Sequence, residues 1–219
     1  MLKYKCLVLD HDDTVVSTTA DIHYPSFQKT ISAVRPHLNI SKREFLMNCF
    51  DPGFYDYMEK ILCFNKEEMD YQLKCWFDYI DDKIPSAYPG IADIIKRHKQ
   101  QGGLVCVVSH SYKKYILRDY AFNIGVVPDV IWGGEEPEDR RKPSIYPLSA
   151  IQEQFDLDKK DMVVIDDLKP GLDMALNFGC DFICAGWSHT IPEITEYMKK
   201  QSPIYLSGVD GLYDLLFNK

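Results

Sequence analysis

The sequence contains no stretch approaching the roughly 20 consecutive apolar residues of a membrane span. Its opening, Met1-Leu2-Lys3-Tyr4-Lys5, leads into an apolar run too short and too soon interrupted for the core of a secretion signal. Cys-x-x-Cys pairs are absent as well. The seven cysteines (6, 49, 63, 75, 106, 180 and 184) are odd in number and scattered, which argues against zinc ribbons, thioredoxin-type redox motifs and a disulfide framework. A reduced, cytoplasmic setting fits best. An excess of positive charge is also missing: 25 Lys+Arg stand against 33 Asp+Glu, for a net charge of −8. The basic footprint of a nucleic-acid-binding surface is therefore not there, and an anionic substrate would need positive charge supplied locally. No internal repeat and no low-complexity tract interrupts the chain. Its 219 residues, 46% of them hydrophobic, suffice for one domain, or one domain with an insert.

Apolar runs that end in acidic or small residues come next. Cys6–Leu9 runs into Asp10, Leu104–Val108 into Ser109, and Met162–Ile165 into Asp166-Asp167. Four or five residues that are apolar throughout suit strands buried on both faces, as in a parallel sheet. Phe182–Ala185 is a fourth candidate; Val130–Trp132 and Ile204–Leu206 are weaker ones. Helical patterns over 91–101, 145–155 and 171–178 lie between them, the first stopping at Gly102-Gly103. Strand and helix in alternation predict an α/β doubly wound parallel sheet. In such a sheet ligands bind beyond the C-terminal strand ends, where all three polar punctuation points fall.

Residues 17–86 break the alternation. Ser41-x-x-Glu44 and Asn65-x-x-Glu68 are capping-box patterns, from which helices are expected to run through Phe50 and Tyr79. The segment reads as an all-helical insert, with an α/β core made of 1–16 and 87–219. It holds 12 of the chain's 28 aromatic residues, as a small helical core that needs large side chains would require.

The chemistry-bearing residues converge on the strand ends. Asp10 and Asp12 sit two apart just after the first strand. Carboxylates that close repel each other unless a cation or a shared proton intervenes, and Mg²⁺ is the natural oxygen-seeking cation. Asp166-Asp167 could complete its shell. Arg140-Arg141-Lys142 reads by itself as a solvated basic loop.

Taken in order, Asp10-x-Asp12-x-Thr14, Ser109 after an apolar strand, Lys142-Pro143, and Asp166-Asp167 after another strand resemble the haloacid dehalogenase (HAD) superfamily of aspartate-nucleophile phosphohydrolases. The resemblance covers essentially the whole chain and points to the phosphoglycolate-phosphatase-like and β-phosphoglucomutase-like branch. It implies a Rossmann-like core with an inserted helical cap of the C1 type. It further implies a Mg²⁺-dependent phosphatase that acts on a small phosphorylated substrate through an aspartyl-phosphate. Asp10 would be the nucleophile and Asp12 the general acid and base, with Lys142 offsetting charge. Ser109 would contact the phosphoryl oxygens, with His110 and Asp13 beside it. Asp10, the backbone carbonyl of Asp12, and Asp167 would ligate the metal, with Asp166 reaching it through water. His11 could touch a leaving group, His23 could face substrate from the cap, and the N-terminus of a helix starting near Tyr112 could help hold phosphate.

Three positions depart from the family pattern: Asp13 and Asp166 stand where Gly is usual, and Gly171 where a further acidic residue often follows. Ser17 also replaces an Asp common in the phosphoglycolate-phosphatase-like branch. Two alternatives stay open, a phosphotransferase or mutase of the β-phosphoglucomutase type and a non-catalytic binding protein. A monomer without nucleic-acid or membrane partners is expected.

Overall fold

A computed structural model describes residues 2–218. The chain divides into two compact units, Met1–Ser17 with Ser86–Lys219, and Thr18–Pro85. In chain order, β1 (Cys6–Leu9) precedes the helices of the second unit: α1 (Tyr24–Val34), α2 (Lys42–Asn48), the single turn α3 (Phe54–Asp56) and α4 (Lys66–Asp81). The first unit resumes with α5 (Ile91–Gln100), β2 (Leu104–Val108), α6 (Lys113–Asn123), β3 (Val130–Trp132), α7 (Tyr146–Phe155) and β4 (Met162–Asp166). It ends with α8 (Lys169–Phe178), β5 (Asp181–Ala185), α9 (Pro192–Gln201), β6 (Ile204–Leu206) and α10 (Val209–Phe217).

The six strands form one sheet in the order β3-β2-β1-β4-β5-β6, and every pairing is parallel. This is the doubly wound architecture that the apolar runs predict. β1 and β4 are buried along their whole length, so Cys6–Leu9 and Met162–Ile165 need apolar side chains on whichever face each meets, and the one charged residue, Asp166, comes at the end of β4. Turn chemistry sets the helix ends. Proline occupies the first turn of α7, α8 and α9, where its missing N–H has no helical partner to lose. Gly179 ends α8 at φ +87°, a left-handed conformation natural to glycine.

In the helical unit, Asn65 and Glu68 cap α4 reciprocally, at 2.9 and 3.0 Å. At α2 the Ser41 hydroxyl accepts from the Glu44 N–H. This helix stops at Asn48 rather than continuing through Phe50. A wider turn over Cys49–Gly53 takes over there, in which Asp51 is extended and Pro52 has no N–H to donate. Four of the seven residues in the unit's buried cluster are aromatic (Phe27, Phe45, Tyr57 and Phe64), and the Phe27 and Phe45 rings lie 4.7 Å apart. The aromatic richness of the insert is thus used to build a core from short helices.

Candidate active site

Register assembles the site. Leu9 of β1 lies beside Val107 of β2 on one side and Ile165 of β4 on the other. Asp10 therefore emerges next to Asp166, and its N–H donates to the Ile165 carbonyl at 2.9 Å. Ser109 leaves β2 one residue further on, held to β3 through the Trp132 carbonyl at 3.0 Å. β1 is where the winding of the sheet reverses, and the crevice at such a switch point is where open α/β sheets bind ligands.

Lys142 reaches this point from the loop between β3 and α7. Its side chain is only 6% exposed, and Nζ donates to Asp10 Oδ1 at 2.8 Å and to Asp166 Oδ2 at 2.5 Å. Arg140, two residues earlier, stays exposed and lies over the Tyr146 ring. Carboxylate oxygens of Asp10, Asp166 and Asp167 all fall within 4.8 Å of one another, and all three residues are buried. The second oxygen of Asp166 accepts from the Leu168 N–H at 2.9 Å, so both its oxygens have protein donors.

The charges do not balance. Burial pushes the Asp10 carboxyl up to about 7; Lys142 opposes this, while Asp166 and Asp12 add to it. Asp167 is raised well above the carboxylate range, by burial first and then by Asp166, Asp10 and Asp13. Burial alone would weaken the proton affinity of Lys142, but Asp10 and Asp166 outweigh it and hold the ammonium above the ordinary lysine range. One buried cation faces several carboxylates, so Asp10 and its partner are both raised: Lys142 feels mostly attraction, and Asp10 feels its acidic neighbours as well. A surplus of buried carboxylate oxygens at this spacing fits a hard divalent cation such as Mg²⁺.

The pH dependence follows. An unfolded Asp ionises near 3.9, whereas folded Asp10 holds its proton to about 7. Between these limits the native state binds more protons, so stability falls as pH rises. In EDTA, thermal unfolding should show a melting temperature that drops from about pH 4 to about pH 7. Asp167→Asn, which removes one mutually repelling carboxyl, should flatten that drop. An equally steep drop in the variant would show that the repulsion lies elsewhere.

The departures have physical explanations. Asp13 has φ +56°, the left-handed conformation that glycine adopts freely and that Asp tolerates better than most residues. Its N–H closes the turn onto the Val16 carbonyl at 2.7 Å. Gly171 lies directly beneath Asp166: a Cβ there would stand 2.2 Å from Asp166 Cγ. The carboxylate at 166 thus fills the space a side chain at 171 would need, and the two departures compensate for each other.

Other candidates go elsewhere. His11 turns away from the strand ends into α6, where Nε2 lies 3.1 Å from Asp119 Oδ2 and the ring stacks on Tyr120. His23 accepts the Trp76 indole N–H at Nδ1, 3.0 Å away, within the helical unit. The first N–H of α6 is taken by the chain's own Glu135 carboxylate, at 3.1 and 3.2 Å, so that helix terminus already has an anion. His110 is half-buried, its pKa lowered to about 4 by desolvation and by Lys142. The neutral ring directs Nε2 to the Lys142 carbonyl at 3.2 Å, bracing the lysine from behind.

The structure also adds residues that the motifs do not mark. The Ser111 hydroxyl donates to Asp12 Oδ2. Beyond β5, the Ser188 hydroxyl reaches Asp167 Oδ2 at 3.3 Å and His189 Nε2 lies 2.6 Å from the Asp167 carbonyl. The neighbouring Trp187 Nε1 donates to the Thr14 carbonyl at 3.1 Å, tying this loop to the segment after β1. Ser188 and His189 lie three and four residues past the end of β5, beyond the position directly after a strand that singles out Asp10 and Ser109.

The family model of haloacid dehalogenase-like hydrolases matches residues 7–185, which spans every residue of the strand-end cluster. The chain belongs to this family. A phosphoglycolate phosphatase from Vibrio vulnificus is 23% identical over 201 residues, covering 86% of this chain and 87% of the relative. Among solved structures, CbbY from Rhodobacter sphaeroides in complex with xylulose-1,5-bisphosphate superposes with a TM-score of 0.74 at 18% identity, over 94% of each chain. A haloacid dehalogenase-like protein from Bacteroides fragilis gives 0.80 at 16% identity, over 96% of this chain and all of that one. At these identities the structural likeness establishes the fold of this HAD-family hydrolase. No described helix is long and apolar enough to cross a membrane.

Proposed function

We propose that this HAD-family chain is a Mg²⁺-dependent phosphatase that hydrolyses a small phosphorylated metabolite through an aspartyl-phosphate on Asp10. The observation that carries the reading is the Asp10 carboxylate at the end of β1, bonded to buried Lys142 and gathered with Asp166 and Asp167. A carboxylate can attack a phosphate dianion only where their repulsion is offset. Lys142 supplies part of that charge. Asp10, Asp167 and the Asp12 backbone carbonyl would hold the metal, and Asp166, whose oxygens are already bonded, would reach it through water. Bound there, the cation supplies the remaining neutralisation and orients the phosphoryl group.

In the first step an Asp10 oxygen attacks phosphorus and the bond to the bridging oxygen breaks. Asp12 gives its proton to that oxygen, so the alcohol leaves neutral. Asp12 then takes a proton from water as the water oxygen attacks phosphorus. The acyl-phosphate P–O bond breaks, which returns Asp10 as a carboxylate and releases inorganic phosphate. Ser109 binds the phosphoryl oxygens, with His110 and Asp13 bordering them. The names of the relatives support a small substrate: one is a phosphatase of phosphoglycolate and another holds a sugar bisphosphate.

The test is release of inorganic phosphate from a panel that includes phosphoglycolate and sugar phosphates, in Mg²⁺ and in EDTA. Release from at least one compound, abolished by EDTA, is the expected result. Release insensitive to EDTA overturns the metal mechanism. A rearranged sugar phosphate without free phosphate overturns the phosphatase in favour of a mutase. Binding without turnover makes the chain a non-catalytic member.

A further inference from the structure

We propose that Ser111 is a positioning residue that aims the Asp12 carboxyl at the leaving oxygen; the inference rests on the acid–base role proposed above for Asp12. Ser111 is buried, and its surroundings fix it from three directions. Its N–H donates to Ser109 Oγ at 3.1 Å. Its carbonyl accepts from the Gly134 N–H at 2.8 Å. The Gly133-Gly134 turn after β3 presses against it so closely that a Cβ on Gly134 would stand 2.0 Å from the His110 carbonyl oxygen, and one on Gly133 would stand 3.0 Å from the Ser111 carbonyl oxygen. With the backbone held on both sides, the hydroxyl donates to Asp12 Oδ2.

Two consequences follow from donor and acceptor counting. A hydroxyl has a single hydrogen, so Ser111 commits it to Asp12 and fixes the rotation of that carboxyl about its Cβ–Cγ bond. Proton transfer requires the donor within about 2.6–3.2 Å of the leaving oxygen, so a carboxyl that swings loses rate through geometry. Ser109, by accepting the Ser111 N–H with a lone pair, keeps its own hydrogen available for a phosphoryl oxygen. The residue two places after the phosphate-binding serine thus orders both the acid and that serine, using its side chain for one and its backbone for the other. Only the side-chain part is removed by Ser111→Ala.

The experiment exploits the leaving group. The value of kcat/KM reports steps up to departure of the alcohol, and not the later hydrolysis of the acyl-phosphate. Glycerol 2-phosphate has a poor leaving group that needs a proton; 4-nitrophenyl phosphate has a good one that does not. Ser111→Ala should lower kcat/KM for glycerol 2-phosphate by about 10–100-fold, and for 4-nitrophenyl phosphate by less than about threefold. In an Asp12→Asn background the same change should cause no further loss on glycerol 2-phosphate, because Ser111 acts through Asp12. Ser111→Cys, close in size and a weak donor, carries the same comparison if the alanine variant does not fold. Equal losses on the two substrates, or a loss that adds to that of Asp12→Asn, would overturn the inference. If Asp12→Asn itself shows no preference for the aryl substrate, the acid–base reading of Asp12 falls instead, so the two failures are distinguishable.

Discussion

Asp10→Asn should lower kcat/KM by about ten-thousand-fold or more on every substrate that the wild type cleaves, because the proposed nucleophilic carboxylate is lost. The amide keeps the shape of the side chain and can still accept from Lys142, which donates to Asp10 Oδ1 at 2.8 Å. It also removes a carboxyl raised by its own burial and by repulsion from Asp166 and Asp12. The metal-free variant should therefore melt at the same temperature as wild type or higher. Loss of turnover without loss of stability is the signature of a group held in place at a cost to the fold. Acid-quenched wild type should retain phosphate from substrate covalently, and the variant should retain none. Turnover within tenfold of wild type would remove Asp10 as the nucleophile. A fall in melting temperature would assign the lost activity to the fold.

Lys142→Met should have the largest effect on stability. The ammonium is nearly buried and bonded to two carboxylates. Removing it leaves Asp10 and Asp166 unpaired in a dry site. Deleting one partner of a buried ion pair costs about 3–5 kcal/mol, a large part of the roughly 5–15 kcal/mol that holds a domain together. Urea unfolding reads this directly. Combining Lys142→Met with Asp166→Asn should recover part of the stability and none of the activity, since Lys142 would still be missing beside the phosphoryl group. Arg140→Met, in the same basic run but exposed over Tyr146, should change stability by less than about 1 kcal/mol. Equal effects at 140 and 142 would mean that the buried ion pair does not carry the difference.

Much of the fold was legible because it is written locally. Runs such as Met162–Ile165 are apolar at every position, which only a strand covered on both faces tolerates. The helical pattern over 171–178 falls within two residues of both ends of α8. Asn65 and Glu68 form the reciprocal cap that their spacing suggests. The site was legible for the same reason: the strand-end rule marks Asp10, Ser109 and Asp166-Asp167 before any contact is known. Ser188 and His189 are not marked by it, because Gly186 and Trp187 separate them from the end of β5 and only the chain's path brings them to Asp167. Ser111 was missed for a different reason. Nothing in Ser109-His110-Ser111 tells which hydroxyl reaches Asp12, because that depends on how Gly133-Gly134 presses on the segment. His11 draws attention by its position between two candidate aspartates. Successive residues after a strand point different ways, and its ring went to Asp119.

The sequence by itself determined the parallel sheet, the helices between β1 and α5 and the strand-end places of the carboxylates. Apolar patterning, caps and strand-end residues act within a few positions of where they are written. Tertiary structure decided what those residues are to one another. It selected Lys142 from Arg140-Arg141-Lys142 by bringing it against Asp10, 132 positions away in the chain. It also set the Asp166 carboxylate in the space left by Gly171. Desolvation and close-range charge depend on which atoms the strand register places side by side, and that information is spread along the whole chain.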